Sequence, residues 1–323
     1  MTAKPGYALV GAKENKVFFS EYQGFANLKA KEEIGPNTQF RLASLTKPFT
    51  MMAILYLVNQ GKINLVDPLS LFFPNFPRWA KDVKVSNLLS HTSGLPDYEE
   101  VLKKQNITKG NEPNNKSALE VISKFDSSLF RPGSKQLYSE TGYVLLALLI
   151  EQVAQIPYKG FLEKIIFRPL KMTNTLVADK PTQRFKRRAI GYQRVNRNYS
   201  KFDYDPLNYI VGNEGIYSTA NDLIKWSNAL FSDRIVPQKL LKKAFTPAKL
   251  YCCIPAARGY SFEVNKFRNE KIVYHSGSWV GFRLMMLLVP RHKIAIFFLA
   301  NSTEYDDKTQ RIIPILDLLC QYW

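Results

Sequence analysis

Cysteine is nearly absent from this chain. Three occur in 323 residues, Cys252, Cys253 and Cys320. Two are adjacent and the count is odd, which excludes a disulfide framework. Histidine is as rare, with three residues, and no His/Cys cluster forms, so no metal site is expected. No apolar run reaches the length of a membrane span; the longest candidate, YVLLALLIEQVAQI from residue 143, is interrupted by Glu151. The opening residues, MTAKPGYALVG, lack a basic segment followed by an apolar core and a cleavage site. The expectation is a cytoplasmic protein as written, or the trimmed form of a periplasmic or secreted one.

Acid is also short. Twenty-seven Asp and Glu face 45 Lys and Arg, for a net charge of +18. A field of that size draws anions. It admits an anionic surface, cell wall or membrane, as a partner beside a plain solubility bias. No nucleic-acid motif accompanies the charge, so no specific nucleic acid is expected. Residues 184–201, RFKRRAIGYQRVNRNYSK, concentrate seven basic residues with no acid. They read as a solvated loop or a contact for an anionic surface.

Apolar and aromatic residues are plentiful: 46% of the chain is hydrophobic, with 21 Phe and 17 Tyr. Such a chain folds, and its length admits two lobes but not many domains. YALVGA and KVFFSEY read as strands about the turn KEN, and FRLMMLLVP and KIAIFFLAN as a hairpin about RH. A closing helix follows through RIIPILDLLCQYW. Strands at both ends with helical material between them predict an α+β fold. One lobe, residues 1–75 and 215–323, holds an antiparallel sheet flanked by helices. The other, residues 76–214, is mainly helical, and a site lies between them. Residues 105–117, QNITKGNEPNNKS, read as a surface loop, and the helix from Gly142 is apolar nearly all round and so buried.

Ser-x-x-Lys occurs once, as Ser44 to Lys47 in FRLASLTKPFT. Pro48 is tolerated only in a first helical turn, which places the helix start near Ser44. The Ser44 hydroxyl and backbone N–H then stand at the positive end of the helix dipole, with Lys47 on the same face one turn along. A serine needs an adjacent base to attack. A lysine supplies one when burial lowers its pKa.

These residues sit in blocks that resemble a known superfamily. TQFRLASLTKPFTMMAILYLVNQGKINLVDPLS, VSNLLSHTSGLPDY, FRPGSKQLYSETGYVLLALLIEQVA, FRPLKMTNTLV, GNEGIYSTANDLIKWSNAL and HSGSWVGFRLMMLLVPRHKIAIFFLAN occur in that order from about Pro5 to Asn301. The chain resembles the serine β-lactamase and penicillin-binding-protein superfamily, in its class C β-lactamase, D-peptidase and family VIII esterase branch. The resemblance implies a β-lactamase/transpeptidase-like fold and a serine hydrolase without cofactor. Ser44 would be acylated, Lys47 would activate it, and Tyr138 would carry the proton to the leaving group. His275 stands where lactamases carry a lysine. The backbone N–H groups of Ser44 and Ser278, just after Gly277, would form the oxyanion hole. His91 would be structural, in a turn-and-cap element.

Two departures bear on function. Glu140 stands where the family usually has asparagine. Pointing inward, it would raise the pKa of Lys47, and it would favour a substrate with a free amine or mark a drift toward esters. His275 is mostly neutral near pH 7 and gives no fixed charge to a substrate carboxylate; Arg283 is a candidate for that charge. Glu214 reads as a solvent-exposed turn residue. The substrates expected are small esters and D-amino-acid-type peptides, ranked above β-lactams. The alternatives are a catalytically weak or inactive penicillin-binding or sensing module, and an anionic-surface binder.

Overall fold

The computed structural model describes residues 3–251 and 254–322, so Cys252 and Cys253 lie outside the described residues. Its main sheet has six antiparallel strands: β1 (Tyr7–Lys13), β2 (Lys16–Gln23), β3 (Glu263–Phe267), β4 (Glu270–Trp279), β5 (Phe282–Val289) and β6 (Ile294–Ala300). Their spatial order is β3-β4-β5-β6-β1-β2, so strands from the two ends of the chain meet where β6 pairs with β1.

The expected hairpins are present. Glu14 and Asn15 both have positive φ, as a two-residue hairpin turn of right-handed twist requires. The second turn is longer than RH: a 3₁₀ turn over Pro290–His292 is closed by Lys293 in the left-handed region.

Side-chain alternation along the strands serves two cores. Ala8, Val10, Leu284, Met286, Phe297 and Leu299 enter the large core. Tyr7, Leu9, Met285, Leu287, Ile296 and Phe298 face the other way and are covered by Ile312 and Leu316 of the closing helix Thr309–Leu319. Burial on both faces is why β6, and β5 from Leu284 onward, read as unbroken apolar runs. β2 is different. It is an edge strand, and Val17, Phe18 and Phe19 are exposed.

Three helices frame the large core: α1 (Lys47–Asn59), α2 (Glu140–Ala154) and α3 (Ala220–Leu230), the last packed against β6 and β1. Every residue of α1 from Lys47 to Leu55 is buried. It packs against α2, and Phe49 stacks on Trp226 of α3 at 4.0 Å between ring centroids. Two smaller expectations are revised. Residues 105–117 are not all loop, because Asn114 caps a helix over Asn115–Ile122. Residues 184–201 are not a plain loop, because Tyr192–Val195 pairs with Asn198–Lys201 as a hairpin. Its basic residues are partly engaged: Arg188 is forked onto Asp203 at 2.9 Å, and Arg194 pairs with Glu304 at 2.5 Å.

Phe49→Ala should destabilise the fold by about 3–5 kcal/mol, the usual range for an aromatic truncated in a close-packed core. Val66→Ala, at an exposed site, should stay within about 0.5 kcal/mol. Urea unfolding of both variants beside the wild type measures the difference.

Candidate active site

The site forms where the sheet leaves an edge bare. β3 pairs with β4 only as far as Tyr274, so from His275 onward that side of β4 has no strand partner among the described residues. A 3₁₀ turn over Ala43–Thr46 packs there and runs directly into α1, with Pro48 in the first helical turn. The approach is close: a Cβ on Gly277 would stand 2.7 Å from the Leu42 carbonyl oxygen. Gly277 thus admits the turn to the strand, a packing reason for glycine at this position. Ala43, just before Ser44, holds φ at +48°, a strained conformation for a residue with a Cβ.

Ser44, Tyr138, Glu140, Arg258, His275, Ser276 and Ser278 line a cavity of about 310 Å³. A larger hollow of about 610 Å³ lies beside Phe167, Met172 and Lys159, but no serine lines it. Six of the seven residues expected at the site, Ser44, Tyr138, Glu140, His275, Ser278 and buried Lys47, therefore converge there from three stretches of chain. Gly277 underlies the strand between them.

Lys47 is wholly buried. Its ammonium donates to Ser44 Oγ at 3.1 Å, Glu140 Oε2 at 2.6 Å and the Asn213 carbonyl at 3.2 Å. Three N–H groups meet three acceptors. Burial alone would lower its pKa, but Glu140 overrides burial and holds it above the ordinary lysine value. This is the direction expected of an inward-pointing Glu140, and it holds Lys47 as an ammonium at neutral pH. Gly212, at φ +109°, allows the turn that presents the Asn213 carbonyl.

Tyr138 stands just ahead of α2, whose N-cap Ser139 accepts from Gly142 N. The ring is partly open at the cavity mouth, while the phenol oxygen lies among Lys47 and Ser44. Burial, with Glu140 adding to it, pushes its pKa to about 12 against the opposing pull of Lys47. His91 is structural, as expected. Buried and held at φ +57°, it stacks on Tyr138 with centroids 4.5 Å apart, and its Nδ1 accepts from Ser139 N.

His275 is buried and neutral. Desolvation, with Lys47 and Arg258 nearby, keeps its pKa well below the usual imidazole range. Nδ1 lies 2.7 Å from the Ser276 carbonyl, which only accepts, so the proton sits on Nδ1. Nε2 keeps a buried lone pair with no partner among the described residues.

Two other expectations fail. Glu214 is not a solvent-exposed turn residue: it is buried beside Arg41, at 3.5 Å. Burial lifts its pKa to about 8, with Arg41 drawing it back. Arg283 does not serve the cavity. It donates to the Val280 and Phe282 carbonyls and pairs with Asp306. The cation in the cavity wall is Arg258, 17 residues ahead of His275 in a loop that carries no motif. Its backbone pairing with Gln136 is long-range and left no local signal.

The Beta-lactamase family model matches residues 1–319, and the chain belongs to that family. It is 29% identical to penicillin-binding protein 4* of Bacillus subtilis (strain 168), over 94% of this chain and 70% of that protein. It is 27% identical to Protein flp of Staphylococcus aureus (strain MRSA252), over 94% of this chain and 61% of that protein. The chain therefore spans roughly two thirds of the length of these relatives. Among solved structures, the octameric penicillin-binding protein homologue from Pyrococcus abyssi gives a TM-score of 0.84 at 26% identity, over 98% of this chain and 73% of that one. The D-amino acid amidase from Ochrobactrum anthropi SV3, complexed with L-phenylalanine amide, gives 0.78 at 26% identity, over 92% and 86%. The fold is β-lactamase/transpeptidase-like, and hydrolysis is an activity found in the family.

Glu214 supplies a pH test. An unfolded glutamate loses its proton near 4.5, whereas folded Glu214 keeps it to about 8. Between those values the folded state binds the extra proton, so stability falls as pH rises. Glu214→Gln should flatten this fall. The slope that remains combines Glu99, which burial holds up to about 7, with His91 and His275, whose lowered pKa values act in the opposite sense, so the difference between wild type and Glu214→Gln is the quantity to compare. Urea midpoints at about pH 5 and about pH 8 check the sign.

Proposed function

We propose that the protein is a serine hydrolase that forms an acyl-Ser44 intermediate on small amine-bearing amides, D-amino-acid-type peptides or esters. One observation carries this reading: Lys47 Nζ bridges Ser44 Oγ and Glu140 Oε2 inside a substrate-sized cavity.

Because Lys47 is already an ammonium, it acts as a conduit and not as a terminal base. Lys47 first passes an Nζ proton 2.6 Å to Glu140 Oε2; as the free amine it turns its lone pair to Ser44 and takes the hydroxyl proton as Oγ attacks the carbonyl carbon. The oxyanion faces the backbone N–H groups of Ser44 and Ser278. When the tetrahedral carbon collapses, Tyr138, protonated below about pH 12, gives its proton to the leaving nitrogen or oxygen. Tyr138 is reprotonated from Lys47, and Lys47 from Glu140. The ammonium–carboxylate pair is restored, and water attacks the acyl-enzyme by the same route. His275, neutral, offers an acceptor and no charge.

Substrate charge follows from the acids. The Glu140 carboxylate is partly exposed in the cavity wall. Asp97, Glu99 and Glu214 are each pushed above the ordinary carboxylate range, first by burial and also by the Glu140 charge. A region that disfavours further negative charge favours an ammonium. A D-amino acid amidase with an amino acid amide bound is among the structural relatives, which supports the same class.

The same pair favours a second reading. A saturated Lys47 makes proton transfer slow, and the protein would then acylate without turnover, as a sensor.

Intact mass spectrometry after a neutral fluorophosphonate should show one adduct in the wild type and none in Ser44→Ala. After a separate incubation with a penicillin, an acyl-Ser44 adduct that clears within minutes supports turnover, and one that persists supports the sensor. Glu140→Asn should lower kcat/KM for D-phenylalanine amide roughly tenfold or more relative to an N-acetylated analogue, the scale of one charge-assisted hydrogen bond. Unchanged relative rates would remove the amine selection.

A further inference from the structure

Three lysines converge on a hollow that the chemistry above does not use. Its volume is about 530 Å³, and Lys242, Lys243, Lys249, Ser86 and Tyr260 are in its wall. It shares no lining residue with the Ser44 cavity. One turn separates the two. Ser90 and Thr92 line the hollow, while His91 between them stacks on Tyr138. Gln136 Nε2 braces that turn, donating to the Ser90 carbonyl at 2.8 Å.

No described Asp or Glu lines this hollow. The ammonium groups of Lys242, Lys243 and Lys249 make no ion pair or hydrogen bond with a described residue, whereas Lys103, Lys159, Lys225 and Lys293 each pair with a carboxylate. The end of the helix Gln238–Ala244 accounts for cations at 242 and 243, because its last carbonyls favour them. It does not account for Lys249, in the loop beyond. Three like charges around one concavity repel, and the described fold supplies no anion to offset them. Two neutral donors are also unengaged: the hydroxyls of Ser86 and Tyr260 make no hydrogen bond with a described residue. No described arginine lines the hollow. Lysines act as point charges and suit the spread charge of a phosphate, whereas a carboxylate suits the planar fork of an arginine. The space exceeds one phosphate group and lies in the range that holds a small molecule.

We propose that this hollow binds the phosphate ester of a small polyol, a sugar phosphate. The three lysines hold the phosphate, the Ser86 and Tyr260 hydroxyls meet the hydroxyls of the sugar, and the Tyr260 ring gives it an apolar wall. No covalent step is involved. Binding needs neither Ser44 nor turnover, so it stands or falls apart from the function proposed above.

Isothermal titration calorimetry of the full chain tests this with glucose 6-phosphate and ribose 5-phosphate, at a fixed ionic strength of about 0.1 M. At least one should bind saturably at a single site, in the wild type and in Ser44→Ala alike. Glucose should not bind, and inorganic phosphate should bind at least about threefold more weakly than the better ester, the scale of the lost neutral hydrogen bonds. Lys242→Gln/Lys243→Gln/Lys249→Gln should weaken ester binding at least about tenfold, the product of three exposed ion contacts. A control with the same change of charge at exposed sites elsewhere, Lys16→Gln/Lys109→Gln/Lys266→Gln, should weaken it less than about twofold. Tyr260→Phe removes only the hydroxyl and should weaken ester binding while leaving inorganic phosphate unchanged. No saturable binding of either ester, or equal losses in the two triple variants, overturns the proposal. So does inorganic phosphate binding as tightly as the esters, or tighter lysine-dependent binding of long-chain polyphosphate, which would make the hollow a contact for an anionic polymer.

Discussion

The buried ammonium of Lys47 is the constraint on which the site depends. A charge removed from water and left unpaired costs several kcal/mol, so the fold must bring acceptors to it. They come from three distant places: Ser44 one turn back, Glu140 at the start of α2, and the Asn213 carbonyl in a glycine-bounded turn. Each acceptor ties its segment to α1. The nucleophile, the second helix and the 210s turn are therefore positioned by one group, and the arrangement that stabilises the charge also aligns the proton path.

Around this pair the site keeps several groups in states a stable core would avoid. Ala43 is strained beside the nucleophile. His91 and His275 each bury a ring nitrogen, and Asn213 an oxygen, without a partner among the described residues. Such features concentrate where geometry serves chemistry at the expense of stability. The molecule is strongly basic overall, yet the neighbourhood of Glu140 is acidic, with Asp97, Glu99 and Glu214 close enough to raise one another's pKa values. Net charge thus describes the surface and misdescribes the site.

Much of this was legible in the sequence where the signal is local. Short β-prone runs and the turns between them located β1, β2, β5 and β6, and Pro48 located the start of α1 because proline is tolerated only in a first turn. Ser44, Lys47, Tyr138 and His275 stood in ordered blocks. Glu140 stood out as an acid in an asparagine's place, and its effect on Lys47 had the expected sign. What escaped depends on long-range partners. Glu214 lies in a glycine-rich, turn-like stretch, and only the approach of Arg41 shows why it is buried. Arg258 sits in a loop with no pattern and is fixed by Gln136 and Glu263. Arg283 was a candidate for the cavity by proximity to His275, but residues across a strand end point elsewhere. Gly277 was placed in the site for its motif, whereas the Leu42 carbonyl explains it.

The edge strand β2 carries a consequence of another kind. Val17, Phe18 and Phe19 are exposed on a strand with a neighbour on one side, a template on which a second molecule can pair. The net charge of +18 sets molecules apart before such edges meet. That repulsion reaches about 10 Å at 0.1 M salt and about 3 Å at 1 M. Colloidal behaviour is thus governed by ionic strength: dilute buffer keeps the sheets separate, and concentrated salt removes the barrier without altering the fold.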